Sequence, residues 1–472
     1  MWGVWGGVRT AHHHGSHSRL IWRVEEPTRS ARVDAIIVPT ARPVASLQQA
    51  AAAARKLDCP LVTLHSRKSS ADRAVRSLDP RIDLIAIDVR GSASLRLPEL
   101  RTSRLLTDAG FERQTDVSTK RNLALLLSHA LRWQRVVFLD DDIRLPNPGD
   151  LSTAAALLDA HTAVGLRMGG FPDNSVVCHA FREAGGQQDT FIGGGALAVE
   201  MRRNRTFFPS VYNEDWFFLL NAGKGLQSVA TVGRAVQASY DPYRVERARA
   251  EEFGDVLAEG TFWLLDQGKP ISAGNLAHWE DFLAKRKKFI EQVLSMVERS
   301  PKIEKPRGVR MAEALTASLD RLELVYPDLC VEYLQALAHD QGQWQRRIAA
   351  TRQQKNVAVE GAIESLTDGS TDPLNYRIRK ATSSQRRRTA PRLRPVEARE
   401  LQSTIPPPPP ALAPREFSAA RRAWPRRLRR GTGASSEAAH ALEAAKVFLP
   451  GQEDQAKGYD YGDERPSQRL HA

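Results

Sequence analysis

The chain has 472 residues, of which 42% are hydrophobic and 26% are charged, and this composition excludes a wholly disordered protein. No apolar run approaches the roughly 18 to 20 residues of a spanning helix, so we expect no transmembrane segment. The formal net charge of +13 favours an anionic partner, such as nucleic acid, an anionic membrane surface or a phosphorylated substrate.

The two ends of the chain differ from its middle. Residues 1–32 lack the cationic start and apolar run of a secretory signal, and we expect a loose leader there. Its histidines would lack the fixed geometry that a natural metal site needs. Residues 355–472 are rich in Arg and Pro and poor in apolar periodicity, which predicts a mostly disordered basic tail. The histidines of the leader are His12, His13, His14 and His17.

The cysteines indicate a reducing compartment. Cys59, Cys178 and Cys330 lie far apart, with no Cys-x-x-Cys pair, so neither a disulfide framework nor a thiolate metal site is expected. We therefore expect buried, reduced thiols and a cytoplasmic protein, with the basic tail available for peripheral contact with the inner membrane surface or another anionic partner.

Short apolar runs alternate with helical patterns through the first half of the chain. Such runs are typical of buried parallel strands joined by crossover helices, so the sequence predicts an open, mostly parallel α/β sheet flanked by helices. The predicted strands are 34–39, 61–64, 82–87, 136–139, 163–167 and 190–199. The predicted helices are 44–57, one starting at Ser118 or Thr119, one starting near Glu214, 277–299 and 311–352.

These elements divide into a sheet domain, residues 33–268, and a C-terminal helical extension, residues 269–354. Asp88 follows the third predicted strand, and Asp140 to Asp142 follow the fourth. Ligands of open α/β sheets bind beyond the carboxyl ends of the strands. The position of these acids therefore favours a functional site.

Three carboxylates, Asp140, Asp141 and Asp142, follow a buried strand with no intervening cation. A hard divalent cation would relieve their repulsion, because Mg²⁺ or Mn²⁺ in proteins usually sits on one or two carboxylates together with substrate phosphates. The ion would also offset the charge on a departing nucleoside diphosphate. A solvated acidic turn is the plain alternative, since Asp is common in turns.

Three segments then follow in a specific order. They are Val38-Pro39-Thr40 in the opening strand, Lys120-Arg121-Asn122 before Phe138 to Asp142, and Gly193-Gly-Gly195 before Asn213-Glu214-Asp215-Trp216. In this order residues 34–266 resemble GT-A-fold glycosyltransferases and are similar to glycosyltransferase family 2. The resemblance implies a metal-dependent, hexosyltransferase-like enzyme that moves a sugar from a nucleotide-diphosphate donor, UDP-sugar by default, to an unidentified acceptor hydroxyl.

On the donor side, the resemblance implies that Asp140 faces the ribose and that Asp142 and Asp140 hold Mn²⁺ or Mg²⁺. A downstream histidine completes the metal shell in some relatives, and His278 is the candidate here. Cations and free N–H groups at a helix start attract phosphate. The complete set of donor-binding candidates is Pro39, Thr40, Asp88, Lys120, Arg121, Asp140 and Asp141.

On the acceptor side, the glycines Gly193, Gly194 and Gly195 would floor the sugar pocket together with Trp216, because glycine lets the backbone approach a ligand. Asp215, beside Glu214, matches the acid that deprotonates the acceptor in the resembled enzymes, which implies an inverting mechanism. The ordinary alternative is a pair of acids in the first turn of a helix, where the helix dipole favours them. His179, Asp173 and Asn174 are further candidates for an acceptor pocket.

The sequence also departs from the family. Leu64 leads into His65-Ser66-Arg67, where the family usually has an Asp-rich turn that reads the base, so the donor base stays open. The segment Gln343-Trp-Gln-Arg-Arg347 matches the motif of processive synthases only in part, which favours single transfers. Two other functions remain: a sugar nucleotidyltransferase, and a basic protein that binds nucleic acid or anionic lipid without catalysis.

Overall fold

The computed structural model describes residues 7–25, 27, 29–89, 95–171, 175–353, 357–367 and 373–381. In these ranges a long sheet carries helices on both faces. The strands are β1 (Trp22–Arg23), β2 (Ala35–Thr40), β3 (Leu61–His65), β4 (Leu84–Asp88), β5 (Arg135–Leu139), β6 (Ile143–Arg144), β7 (Ala163–Gly170), β8 (Ala196–Glu200), β9 (Leu220–Asn221), β10 (Gly225–Leu226), β11 (Val229–Gln237) and β12 (Tyr376–Arg379).

The helices follow the strands in alternation at first and then form a C-terminal group. They are α1 (Gln48–Leu57), α2 (Ala71–Ser77), α3 (Arg101–Asp108), α4 (Val117–Ala130), α5 (Gly149–Leu157), α6 (Val176–Glu183), α7 (Glu214–Phe218), α8 (Val245–Asp266), α9 (Leu276–Arg299), α10 (Lys305–Leu322), α11 (Pro327–Gln353) and α12 (Val359–Glu364). Short 3-10 turns precede α1 and α9.

The order of strands in the sheet is β1-β11-β7-β8-β5-β2-β3-β4-β12, and β6 pairs with β11. Strands β5, β2, β3 and β4 are parallel neighbours. Strand β8 lies antiparallel between β5 and β7, whereas β7, β11 and β1 are again parallel. The prediction of an α/β fold with a mostly parallel, helix-flanked sheet is confirmed.

Continuous apolar runs form the central strands because both faces of the sheet are covered. Along β2, Ile36 and Val38 pack in one hydrophobic cluster and Ile37 packs in another. The first cluster includes residues of α1, α2 and α5. The second includes residues of α4 and of the long helices α8 to α11. The carboxyl ends of β2 to β5 therefore lie at one edge between two layers of helices.

The region predicted as a helical extension is helical, but its long helix is divided. Helix α10 ends at Leu322 and α11 begins at Pro327, in place of one helix over 311–352. Proline suits the first turn of a helix because it has no N–H to donate. No helix in the described part of the chain has the length and hydropathy needed to cross a bilayer.

The expectation of a mostly disordered tail from residue 355 does not hold for residues 357–367 and 373–381. Strand β12 pairs antiparallel with β4 and extends the sheet. Asn375 adds a backbone hydrogen bond of 2.8 Å from the Asp88 N–H. The alternation of apolar and charged residues in Tyr376–Arg379 covers only four residues, which is too short to predict a strand in an arginine-rich segment. Residues 382–472 lie outside the described residues.

The expectation of a loose leader does not hold for residues 7–25. Val8 forms a parallel bridge with Gly186, and β1 pairs with β11. His13 and His17 are buried. The His17 ring has hydrogen-bond partners in Glu259 and Asp266 of α8, and the His13 ring is hydrogen-bonded to Gln188. A pattern in the first 32 residues alone could not reveal partners that lie so far along the chain.

Candidate functional site

The carboxyl ends of the parallel strands meet in register. Thr40 at the end of β2 pairs with His65 of β3, and His65 pairs with Asp88 of β4. Asp140 follows β5 directly. Thr40 and Asp88 are buried, whereas Asp140 is partly exposed. The sheet thus brings the predicted donor-side residues to one edge, as the strand pattern implied.

Asp141 is fixed by the loop that follows β2. Its carboxylate accepts hydrogen bonds from the Thr40 hydroxyl at 2.6 Å and from Arg42 Nη1 at 2.7 Å. The Ser46 hydroxyl adds a longer contact of 3.4 Å. Pro39, which precedes Thr40, is buried within β2. The opening strand and the acidic turn are therefore joined through Asp141.

Asp142 carries the clearest electrostatic perturbation of the turn. Burial, together with the negative charges of Asp140 and Asp141, raises the pKa of Asp142 to about 6 although Arg42 opposes the shift. Arg42 Nη2 lies 3.3 Å from the Asp142 carboxylate. Burial also raises the pKa of Asp141. Because Asp141 and Asp142 share Arg42, these two acids would gain free energy from further positive charge.

A buried guanidinium connects the acidic turn to α7. Arg121 Nη2 donates to both oxygens of Asp140 at 2.8 and 3.1 Å, and Nη1 donates to Glu214 at 3.1 Å. Burial alone would lower the pKa of Arg121, but the charges of Asp140, Glu214 and Asp215 raise it above its ordinary value. Arg113 also pairs with Glu214, at 3.3 Å. Arg121 therefore remains a cation among three acids.

The glycine run lies directly on this guanidinium. A Cβ atom at Gly194 would come within 2.6 Å of Arg121 Nη1, so a side chain there would displace the arginine. The Gly194 N–H donates to Asp215 Oδ2 at 2.5 Å, and the Gly195 carbonyl accepts from the Asp140 N–H at 2.9 Å. Gly193 precedes them and is partly exposed. The glycines thus hold both acidic segments through the backbone.

Asp215 is oriented by two backbone amides. Besides the Gly194 N–H, the Trp216 N–H donates to Asp215 Oδ1 at 3.0 Å. The Trp216 ring packs against Phe191 and Phe262, with both ring centroids 4.8 Å away. The acid predicted as the base therefore has a fixed orientation next to an aromatic wall.

Lys120 does not present its ammonium at the helix start. Its Nζ donates to the Thr40 carbonyl at 2.9 Å and to the Ser66 hydroxyl at 2.7 Å, and it pairs with Asp116 at 2.9 Å. Burial lowers the pKa of Lys120. The Lys120 side chain therefore stabilises the carboxyl end of β2 and the turn that follows β3.

Asp88 is similarly engaged. It accepts from the Ala71 N–H at 2.7 Å, at the start of α2, and from Asn375 Nδ2 at 2.6 Å. His65, in the turn where the base would be read, has both ring nitrogens bonded, to Ser69 and Thr63 at 2.7 Å each. Burial lowers the pKa of His65 to about 4. Both side chains thus have structural partners.

Other candidates lie apart from these contacts. His278 Nε2 is bonded to the Gly260 carbonyl at 3.1 Å, and His179 Nε2 to the Tyr240 hydroxyl at 3.1 Å. Asp173 and Asn174 are outside the described residues. The cysteines Cys59, Cys178 and Cys330 are buried, as expected, and burial raises the pKa of each thiol.

Arg42 was missed from the sequence. It lies two residues beyond β2, pairs with Asp141 and Asp142, and keeps 34% of its side chain exposed. The available signal was its place directly after the opening strand, at the edge where three acids also emerge. A cation is expected there on charge balance alone.

Comparisons with known proteins find similar chains among solved structures. No protein-family signature matches the chain, and no curated protein is detectably similar to it. Among solved structures, the chain is similar to a mannosyltransferase from Pyrobaculum calidifontis in complex with GDP-Man and Mn²⁺, with 18% identity, coverage of 72% of this chain and 93% of that chain, and a TM-score of 0.34. A likeness of this size assigns no role to any residue of this chain.

Proposed function

We propose that this protein transfers a sugar from a nucleotide-diphosphate donor to an acceptor hydroxyl and depends on a divalent cation. The observation that carries the proposal is the hydrogen-bonded group formed by Asp140, Arg121, Glu214, Gly194 and Asp215 at the carboxyl edge of the sheet. It places an undercompensated acidic turn beside a second, oriented carboxylate. A cation-dependent donor site and an acceptor base need this combination.

The donor atoms of the acidic turn suit Mg²⁺ or Mn²⁺. They are carboxylate oxygens, which these hard ions prefer. Asp142 and Asp140 would hold the ion, which when bound would offset charge on the departing diphosphate. Two groups of three His, Cys, Asp or Glu side chains in the described part of the chain have ligand atoms within 4.8 Å of one another, and neither group includes the aspartates of the acidic turn. One or two carboxylates here would therefore act together with phosphate oxygens of the donor, as is usual for Mg²⁺.

Arg42 is the residue best placed to contact the diphosphate. It is the partly exposed cation of the turn, and its guanidinium already spans Asp141 and Asp142. A planar guanidinium can bind phosphate oxygens in a bidentate manner. We expect donor contact also at Thr40, Asp140 and Asp141, whereas the burial of Lys120 and Arg121 suits them to positioning these groups.

Asp215 is a better candidate for the base than Glu214. Glu214 is paired with two guanidinium groups, Arg121 on one carboxylate oxygen and Arg113 on the other, so both oxygens are already held by cations. Asp215 accepts hydrogen bonds from neutral backbone amides. Proton transfer from the acceptor to Asp215 and attack opposite the leaving group would give inversion at the anomeric carbon, with Trp216 and the glycine run beside the sugar.

Nucleotide titration tests the donor site. We expect UDP or GDP to bind the full chain in calorimetry only when Mn²⁺ is present, and Asp142→Asn to abolish this binding, because the variant removes a metal ligand and a negative charge. Asp159→Asn is the matched control, since Asp159 is an exposed acid that pairs with Arg135 at the opposite end of β5. Equal, metal-independent affinity in wild type and Asp142→Asn would overturn the proposed donor site.

Product analysis tests the reaction class. We expect metal-dependent release of a nucleoside diphosphate when nucleotide sugars are supplied. Release of pyrophosphate or incorporation of the nucleotide would identify a nucleotidyltransferase. Strongly salt-dependent binding of nucleic acid or anionic vesicles, without turnover of any nucleotide sugar, would identify a binding protein.

A further inference from the structure

The N-terminal strap, defined here as residues 7–20, is docked on the surface of the domain through specific contacts. The Val8 N–H donates to the Gly185 carbonyl, and the Val8 carbonyl accepts from the Gln187 N–H, both at 3.0 Å. A Cβ atom at Gly15 would lie 2.2 Å from the Gln187 carbonyl oxygen, so this close approach requires glycine. The histidines of the strap are therefore held in a defined geometry.

Two of these histidines converge with an acid at the end of α8. His14 Nε2 lies 3.1 Å from Asp266 Oδ2, and His17 Nδ1 contacts the same oxygen. The three ligand atoms lie within 4.8 Å of one another. Ligand atoms that share a tetrahedral Zn²⁺, with bonds of about 2.0 to 2.1 Å, are separated by about 3.3 Å. Small side-chain adjustments would bring these atoms to that geometry.

The second nitrogen of His17 is held as in a metal-bound histidine. His17 Nε2 donates to Glu259 at 3.2 Å, and Glu259 is buried. The Asp266 carboxylate faces Nδ1 as well, so without an ion both ring nitrogens point at acids. Burial alone would lower the pKa of His17, but these acids raise it to about 9. An ion would replace the proton on Nδ1, while Glu259 would continue to accept from Nε2, as a carboxylate does for a metal-bound histidine. His17 Nδ1 would then be directed at an ion shared with Asp266 and His14.

Two polar atoms of the cluster lack hydrogen bonds. Among the described residues, His14 Nε2 and Asp266 Oδ1 are buried atoms with no hydrogen-bond partner, and the Asp266 side chain is only 2% exposed. The short distance between His14 Nε2 and Asp266 thus does not have the angles of a hydrogen bond. Buried polar atoms are nearly always paired, so these two atoms point to a ligand that both would share.

We propose that His14 Nε2, His17 Nδ1 and the Asp266 carboxylate bind one divalent transition-metal ion of the Zn²⁺ class, with Glu259 as the hydrogen-bond partner of His17. Imidazole and carboxylate ligands suit Zn²⁺ and similar ions. The three ligand atoms leave a fourth position of a tetrahedral ion for another ligand, such as water. This site shares no residue with the proposed donor site, whose protein ligands would be the carboxylates of Asp140 and Asp142.

A neighbouring triplet is a weaker candidate. His13, Cys178 and Glu259 also place ligand atoms within 4.8 Å of one another. However, His13 Nε2 is already bonded to Gln188 Oε1 at 2.6 Å, and its ring stacks on Phe289 at a centroid distance of 4.1 Å. These contacts account for His13 as a packed, hydrogen-bonded residue.

The ion would fasten the N-terminal strap to the C-terminal end of α8. Because two of its ligands come from the strap and one from a helix about 250 positions along the chain, binding would oppose detachment of the strap. The His17 ring also lies 5.4 Å from the Trp216 ring. Metal binding would therefore rigidify the aromatic wall that Trp216 contributes to.

Co²⁺ is the probe, because its visible absorption reports both binding and coordination. The full chain is treated with a chelator and titrated with Co²⁺ in the Asp142→Asn background without nucleotide, so that the acidic turn does not contribute. We expect one equivalent to bind, slower proteolysis of the strap in its presence, and weakening of at least about 10- to 100-fold in His14→Ala, since even loss of an outer partner costs that much.

The control is His12→Ala, which removes a neighbouring histidine of the same strap that is outside the cluster. It should bind Co²⁺ like the parent protein. Glu259→Gln should weaken binding without changing the stoichiometry. Equal affinity in His14→Ala and the parent, equal losses in His14→Ala and His12→Ala, or no binding at all would show that His17 only forms an ion pair with Asp266 and would overturn the proposal.

Discussion

Replacement of Asp215 by Asn separates the two roles that this residue could have. The substitution preserves the shape of the side chain and removes the basic oxygen. As a general base, Asp215 would contribute about 10²- to 10⁴-fold to the rate, which corresponds to about 2.7 to 5.4 kcal/mol of activation free energy at 1.36 kcal/mol for each tenfold change. We therefore expect sugar transfer to collapse in Asp215→Asn.

The structure also predicts a cost in stability. The two carboxylate oxygens of Asp215 each accept from a backbone amide, Gly194 N–H and Trp216 N–H. An Asn side chain has one carbonyl oxygen, so one of the two N–H groups would face an NH₂ group. An unsatisfied N–H group costs about 1 to 3 kcal/mol. Urea unfolding should detect this loss, and activity must be compared at a temperature at which the variant remains folded.

The assay combines transfer rate, calorimetric binding of the nucleoside diphosphate with Mn²⁺, and product stereochemistry by NMR. Donor binding should stay near normal in Asp215→Asn, because the base acts on the acceptor. Asp159→Asn is the control, since it makes the same substitution at an exposed acid that pairs with Arg135 away from the site. A fully active Asp215→Asn protein, or retention of anomeric configuration, would refute the assignment of Asp215 as the base.

Three further predictions concern stability. Arg121→Met should lower the unfolding free energy measured in urea by about 3 kcal/mol, the lower end for a broken buried pair, because Glu214 keeps Arg113. Deletion after Ala381 should leave the melting temperature unchanged, whereas deletion after Gln353 should lower it by exposing β4, which pairs with β12. Burial and two neighbouring cations lower the folded pKa of His129 to about 3. Since the unfolded residue takes up a proton below about 6.5, the stability that His129 contributes relative to His129→Gln should fall by about 2 kcal/mol between pH 7 and pH 5, and the same pH dependence of urea unfolding in both proteins would contradict this.

The sequence was sufficient for the central strands and insufficient for the flanking ones. Strands β2 to β5 are continuous apolar runs, so their existence and parallel arrangement could be predicted. Strand β11 was missed because its register shifts between Val232 and Arg234, which interrupts the alternation of apolar and polar residues. Its central Gly233 has a φ of 58°, a conformation that favours glycine and is atypical of a regular strand.

Helix α8 was not predicted from the sequence, for a different reason. Its acids Glu252 and Asp255 are buried and pair with Arg286 of α9 at 2.7 to 2.9 Å. Buried ion pairs remove the contrast between apolar and charged faces on which helix prediction depends. The partner lies about 30 positions away, so no local pattern in α8 could indicate that these charges are neutralised inside the protein.

Arg121 contacts three segments that are separate in the sequence: the acidic turn after β5, the start of α7 and the glycine run. The guanidinium binds the acid after β5 and the acid that begins α7, and it leaves no space for a side chain at Gly194. A change in any one segment would therefore leave a buried charge unpaired or cause a steric clash in the others. What sequence order could not show is which side chains this arrangement leaves for a ligand. Lys120 and Arg121 are buried, whereas Arg42 keeps 34% of its side chain exposed, and only this difference in burial makes Arg42 our candidate for contact with the donor.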